Sequence, residues 1–525
     1  MKNKRADTLK ILLCLFFGVA VIYPLGCMIL KMKDVDAAII WTSVRFLTAL
    51  KNSVILSAVA TSISVCLAFA LAWCIERSNI KFKNTFKVIL TLPMLMPSIS
   101  HGMGLVILFG GNGVITNLLG IEWSIYGKVG IIAGSVIYSF PVAFLMIADV
   151  LKYEDGNAYQ AAEILGIPKW RQFIKITGSY MQKPMISVIF ATFTLIITDY
   201  GVPLLVGGKC TTLPVVMYQD VIGQLDFGKG SAIGVVLLVP AVAAFIIDFL
   251  SRDTGKSNNM QDEYRIEKNG LRDVLSYVYC ILMAVIVVLP IVTFTVLSFV
   301  KKYPVDLSVT PEHIRRTFEM SGGKYLLNSI LIALSVSVFG VVIAFLTAYL
   351  TARMKTRISY VLHLVSIVSL AIPGIVLGVA YVLAFKKWPV YGTFIIMIMV
   401  NLVHFFASPY LMMYNTLGKL DDNLEAVGRT LGIRMRYMIR DVIIPQVKDT
   451  TMEMFSYFFV NCMMTISAVS FLVTLKTKTV SLMITQFEAQ MMVECSAFVS
   501  LLILIVNLFM KYILNYVRRK QEQKE

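Results

Sequence analysis

A run of about twenty apolar residues leaves a chain few choices, and this chain carries twelve of them. Inside a bilayer every backbone N–H and C=O must be bonded within the protein, so such runs cross as helices. They lie near 11–30, 52–75, 87–110, 129–149, 184–206 and 230–250, and again near 273–300, 327–351, 358–384, 390–414, 451–473 and 495–516. Only 15% of the 525 residues are charged and 58% are hydrophobic, where a soluble domain carries roughly 25% charged. The expected fold class is therefore all-α and polytopic, with about twelve transmembrane helices.

The net charge of +17 does not indicate a nucleic-acid partner. The basic residues sit in short loops beside apolar spans, which is how membrane proteins set orientation. With the N-terminus inside, roughly 32 basic residues fall on the cytoplasmic side and roughly 16 outside. Arg77, Lys81, Lys83, Arg353, Lys355, Arg357, Arg518, Arg519 and Lys520 belong to the larger set. Both termini are expected in the cytoplasm. The basic start and long apolar run at the N-terminus read as an uncleaved first span. The eight cysteines include no C-x-x-C pair and lie mostly in apolar runs, so neither a disulfide framework nor a metal site is expected.

The chain repeats itself. "NSVILSAVATSISVCLAFALAWCIER" from Asn52 parallels "NSILIALSVSVFGVVIAFLTAYLTAR" from Asn328. At one constant offset Asn52-Ser53 falls on Asn328-Ser329, Ala68-Phe69 on Ala344-Phe345 and Arg77 on Arg353. Pro97 then falls on Pro373, Gly102 on Gly378 and Phe109 on Phe385. Two six-span units follow, residues 1–250 and 273–525, joined by the polar stretch 251–272 read as a cytoplasmic linker. An even number of spans per unit gives both copies the same orientation.

After the fourth span of each unit comes a distinctive segment. The first reads Ala161-Ala162-x-x-Leu165-Gly166-Ile167-Pro168, and the second Val427-Gly428-x-x-Leu431-Gly432-Ile433. Small residues admit another backbone closely, and the glycine ends the helix in a sharp turn. Then follow Trp170, Phe173, Ile174 and Ile176 against Lys169, Arg171 and Lys175. Their counterparts are Met435, Tyr437, Met438, Ile439 and Val442 against Arg434, Arg436 and Arg440. One such segment alone reads equally well as an amphipathic helix on lipid headgroups. Two at equivalent places read as a repeated docking knuckle.

These segments resemble the EAA loops of binding-protein-dependent ABC transporter permeases of the type I importer fold, and the resemblance covers nearly the whole chain as a fused double permease. It implies that the loops, about 151–183 and 415–450, are coupling helices. Ala161, Ala162, Leu165, Gly166, Trp170, Arg171 and Phe173 would dock one ATPase subunit. Glu425, Leu431, Gly432, Arg436, Tyr437 and Pro445 would dock a second. The sequence departs from the family's pattern in places. Gln160 stands at the family's Glu position and the closing proline is lost near Ser179. In the second copy Glu425 lies one residue early and Val427-Gly428 replace Ala-Ala, while Pro445 is kept.

No G-x-x-x-x-G-K-[ST] loop occurs. "GGKCTT" from Gly207 and "SGGKYL" from Ser321 lack its first glycine and its Ser/Thr. The chain is thus expected to be a non-enzymatic transporter subunit without its own cofactor. ATP and magnesium would belong to two copies of a separate ABC ATPase. The resemblance further implies an external solute-binding protein and a bacterial plasma (inner) membrane location.

Polar residues within spans are costly and mark pathways or packing bonds. The translocation-path candidates are His101, Asp199 and Tyr200 in the first unit and His404, Asn461, Thr465 and Ser467 in the second. Pro97 and Pro373 predict matching kinks. The segments "TDYGVPLLVGG" and "VNCMMTISAVSFL" look most like 2-aminoethylphosphonate-type permeases, with ferric-iron permeases next. The rival function is an ion- or proton-coupled carrier using Asp199.

Overall fold

In the computed structural model residues 4–120, 124–251, 264, 266, 268–421 and 423–522 are described. Nearly all of the regular structure is helical. The one hairpin among the described residues pairs Val300–Lys302 with Asp306–Val309. Most of the predicted linker lies outside the described residues.

Among the described residues nine helices are long and apolar enough to cross a bilayer, and two bent pairs bring the number to eleven. Twelve spans were expected, with kinks at Pro97 and Pro373, and the differences have local causes. The run at 87–110 becomes helix Lys83–Leu90, a tight turn, and helix Ser98–Phe109, because Pro97 supplies no N–H and sits at the start of the second piece. Its counterpart at 358–384 bends by 110° between Ala371 and Gly374, at Pro373. The run at 390–414 bends by 53° at Phe406. The run at 184–206 leaves the helix at Ile197. That at 451–473 yields the 17-residue helix Lys448–Met464 and then irregular backbone.

The residues form two compact units, and these do not follow the two repeats. One unit comprises 41–219 and 239–313, and the other 1–40, 220–238 and 314–525. In the first, Val44–Arg77 packs along Lys128–Lys152 and Gly178–Ile197. Gly270–Leu297, the first span of the second repeat, lies against Val44–Arg77 and Ser98–Phe109. There a Cβ on Gly104 would meet Pro290 at 3.1 Å. In the other unit Lys4–Phe17 packs on Arg357–Ile367 and Tyr23–Lys31 on Gly374–Phe385. Tyr381 Oη donates to the Ala20 carbonyl at 2.7 Å, and the Phe17 and Phe406 rings lie 4.7 Å apart.

Each unit therefore takes its opening span from the other repeat. The opening spans are themselves copies, with Asp7 matching Asp273, Cys14 matching Cys280 and Pro24 matching Pro290. Both anchor at the turn after a long helix. Lys10 is 1% exposed and donates to the Met354 carbonyl at 2.8 Å and to Thr356 at 3.1 Å. In the other unit Asp273 accepts from the Asn79 N–H at 3.2 Å, and Ser276 bonds Ser78 at 2.9 Å.

Candidate functional site

The two predicted knuckles have the same backbone. Helix Asn157–Ile164 ends on Leu165, and Gly166 takes φ +64°. The Ile167 N–H then reaches the Ala162 carbonyl at 2.9 Å, and the Gly166 N–H reaches Glu163 at 3.0 Å. Helix Leu424–Thr430 ends on Leu431, and Gly432 takes φ +71°. The Ile433 N–H reaches Gly428 at 2.8 Å, and the Gly432 N–H reaches Arg429 at 3.1 Å. This paired-bond ending needs a left-handed residue, which glycine adopts without a Cβ penalty.

After the turn, Pro168 opens helix Lys169–Gln172 and Arg434 opens Met435–Tyr437. Each piece runs on through a wider π turn, Phe173–Thr177 and Met438–Ile443. Pro445 follows directly, in the first turn of Ile444–Gln446.

Only one of each pair of small residues is packed. Ala162 is buried, and a Cβ on Gly428 would touch Met438 at 3.2 Å. Ala161 and Val427 face outward. The knuckle tips are apolar and exposed: Leu165 is 74% and Leu431 69% exposed. Trp170, Phe173, Ile433 and Tyr437 are also exposed. Arg171 lies over the Trp170 ring at 5.1 Å, and Arg436 over Tyr437 at 4.6 Å. Met438, expected on the apolar outer face, is instead buried.

Behind each knuckle lies an ion pair: the sequence singled out Arg77, Arg353 and Glu425 but paired none of them, and Glu425, expected among the docking residues, faces inward onto Arg353. Arg77, at the end of its span, pairs with Glu154 and donates to the Leu151 carbonyl at 2.9 Å. Tyr159 Oη donates to Glu154 at 2.8 Å. The Tyr264 ring sits 4.2 Å from the Arg77 guanidinium. In the second repeat Arg353 donates to Glu425 at 2.8 and 2.5 Å and to the Leu420 carbonyl at 2.9 Å. Tyr349 Oη donates to Glu425 at 3.4 Å.

Both junctions thus join an arginine, a carboxylate and a tyrosine, reached from different chain positions. Counted back from the glycine, Glu425 occupies the place of Tyr159. Burial pushes the Tyr159 hydroxyl up. Burial acts to raise Glu425, but the hydrogen bonds and charge of Arg353, with a backbone bond and the Tyr349 hydroxyl, together outweigh it and hold its carboxyl below the usual range.

The path candidates fall into two groups, one in each unit. Asp199 Oδ1 accepts from the Gly201 N–H at 3.3 Å and Oδ2 from the Val202 N–H at 3.0 Å. The Ser98 hydroxyl bonds the same carboxylate. Asp199 therefore caps helix Gly201–Val206 and ties it to the start of Ser98–Phe109. Tyr200 is buried and stacks on Tyr218, with ring centroids 4.8 Å apart. His101 Nε2 lies 3.2 Å from the Pro93 carbonyl.

In the other unit His404 and Ser467 meet at Gly374, where an added Cβ would lie 2.9 Å from His404 Nε2 and 2.4 Å from Ser467 Oγ. Asn461 bonds the Tyr457 carbonyl within its own helix at 2.8 Å. Thr465 is buried, and its carbonyl accepts from Ser481 at 2.8 Å. No group of three or more His, Cys, Asp or Glu suited to a metal occurs among the described residues.

Comparison with known proteins agrees with this architecture. The family model described as "Binding-protein-dependent transport system inner membrane component" matches twice, at residues 64–253 and 340–523. A putative ferric transport system permease protein of Haemophilus influenzae is 25% identical, covering 90% of this chain and 78% of that protein. A ferric transport system permease protein of Actinobacillus pleuropneumoniae is also 25% identical, over 90% of this chain and 72% of that one. A thiamine transport system permease protein of Escherichia coli is 22% identical over 61% of this chain and 60% of its own length. Two matched copies, each bearing a glycine-ended knuckle, place the chain in the family of binding-protein-dependent inner membrane transport components, as a double permease of the type I ABC importer class.

Proposed function

We propose that the chain is the membrane path of an ATP-driven importer for ferric iron, with one ABC ATPase subunit seated on each knuckle. The ferric permeases similar over 90% of the chain carry the choice of solute. They weigh for iron over the 2-aminoethylphosphonate suggested by "TDYGVPLLVGG", which stays the second reading. The coupled-carrier reading gives no account of two matched knuckles.

In this mechanism ATP closes the ATPase pair, with ATP and magnesium bound there. The exposed Leu165, Trp170 and Phe173, and Leu431 and Tyr437, seat in grooves of the two subunits, and the basic residues beside them meet acidic rims. Each knuckle is bolted to a span end through Arg77–Glu154 or Arg353–Glu425. Movement of an ATPase subunit is thereby delivered to the membrane helices. An external binding protein brings the solute, and both termini lie in the cytoplasm.

Two measurements test this. The detergent-solubilised chain drawn from its own cells should bring an ABC ATPase, and Arg171→Glu with Arg436→Glu should reduce its recovery at least tenfold. Reversing two interfacial charges costs several kcal/mol. Recovery unchanged by both reversals would contradict the docking role. Cells carrying the system should take up radiolabelled ferric iron in an ATP-dependent manner. Uptake of 2-aminoethylphosphonate instead would transfer the solute assignment without touching the knuckles.

A further inference from the structure

Helices Val44–Arg77 and Gly270–Leu297 leave an open, largely apolar groove of about 660 Å³ between them. One wall is a single face of the first helix, Cys66, Leu67, Ala70 and Cys74. The other begins at Asn269, Leu271 and Arg272 and continues through Leu275, Ser276 and Tyr279. Both helices are long and apolar enough to span a membrane, so their apolar surfaces belong in the acyl-chain layer. The lined stretch from Cys66 to Cys74 is about 12 Å long, close to the roughly 15 Å hydrocarbon depth of one leaflet.

The groove owes its depth to small side chains. At the repeat offset the other half carries Val342 for Cys66, Leu346 for Ala70 and Leu350 for Cys74. Ser276 has Lys10 as its counterpart, whose long side chain is buried and tied to the Met354 carbonyl at 2.8 Å. Ser276 instead bonds Ser78 at 2.9 Å, and Tyr279 Oη reaches the Leu67 carbonyl at 3.3 Å. These two bonds hold the helices together without filling the space between them.

One end of the groove is basic. Arg272 is part-exposed and shares Asp273 at 3.0 and 3.1 Å, and Asp273 also accepts from two backbone N–H groups. Around it Arg77 pairs with Glu154, and Lys87 with Glu76 at 2.5 Å. Lys81 and Lys83 have no ion pair among the described residues, and Glu76 and Asp273 both act on Lys83 through space. Among the described residues the local balance is positive. An apolar trough ending in a basic cluster has the chemistry of a phospholipid with an anionic headgroup.

We propose that this groove is a specific site for one anionic phospholipid, an acyl chain lying between the two helices and its phosphate held by Arg272 and Lys83. Such a lipid would brace the exchanged span Gly270–Leu297 against Val44–Arg77, whose last residue anchors the first knuckle. The site does not depend on which solute is carried.

The test is native mass spectrometry of the intact purified chain, equilibrated with equal amounts of phosphatidylglycerol and phosphatidylcholine. The wild type should retain phosphatidylglycerol about tenfold over phosphatidylcholine. Arg272→Gln with Lys83→Gln should bring that ratio near one. Ala70→Leu, which installs the residue found at 346, should remove the retained lipid, with monodispersity checked separately. Equal retention of the two lipids by the wild type, or a preference surviving either variant, would overturn the proposal.

Discussion

Replacing Arg353 by Met is expected to cost about 3–5 kcal/mol of stability. The Arg353 and Glu425 side chains are 3% and 11% exposed. Removing the guanidinium strands a carboxylate that has lost most of its water, and the Leu420 carbonyl loses its donor. The double variant Arg353→Met, Glu425→Met should recover most of that loss, because a buried pair and a well-packed apolar pair are often close in free energy. Thermal unfolding of the purified chain and its two single variants closes the cycle. A single-variant cost below about 1 kcal/mol would mean the pair is solvated and contributes as a surface pair does.

The sign of the pH dependence follows from the same contact. Glu425 has a folded pKa below its unfolded value, so its contribution is fully present above about pH 4.3. It is lost as pH falls through the lower folded value. In Arg353→Met the arginine's hydrogen bonds and charge are gone, while burial and the Tyr349 bond remain. Acidification into this range should then destabilise the variant less than the wild type.

The second large effect is expected at the knuckle glycines. Gly166 and Gly432 have nothing within 4 Å of where a Cβ would stand. A substitution there meets no clash, only the strain of a left-handed backbone, about 1–3 kcal/mol. Gly166→Val and Gly432→Val should therefore insert and purify normally. Their turns would reopen, shifting Leu165 and Ile167, or Leu431 and Ile433. ATP-driven uptake should fall about tenfold or more. Asn at the same positions tolerates the left-handed region and should retain most of it. Full uptake by both valine variants would refute a coupling role for these turns.

The knuckles were legible because their cause is local. A helix that stops on Leu-Gly with an apolar residue next has one favourable ending, and both copies adopt it. The matched glycines Gly102 and Gly378 were legible as a pair, and the structure supplies the reason. A Cβ on Gly102 would meet the Val202 carbonyl at 3.3 Å, and one on Gly378 the Ala468 carbonyl at 2.8 Å. Each lets its helix pack against the segment that follows the fifth span. Pro97 and Pro373 announced interruption correctly, but not its size, since a bend of 110° is set by what the two pieces pack against.

Asp199 shows the limit of reading a polar residue by its neighbours in the chain. Its acidity suggested a pathway, while its bonds to Gly201 and Val202 depend on the helix having already ended at Ile197. The partners of Arg77 and Arg353 lay further out of reach. The carboxylate comes from before the knuckle helix in one repeat and from within it in the other. No constant offset relates them.

By itself the sequence determined the class of protein, the run of spans, the repeat and the two knuckles. Each of these follows from periodicity, apolar length or backbone preference within a few residues. Only the tertiary structure decided which opening span serves which unit, where the spans break, and how a buried arginine finds its carboxylate. Apolar helices are interchangeable to a bilayer. Their neighbours are chosen by a buried Lys10, a Ser276–Ser78 bond or a glycine contact, groups that acquire meaning only when distant parts of the chain meet.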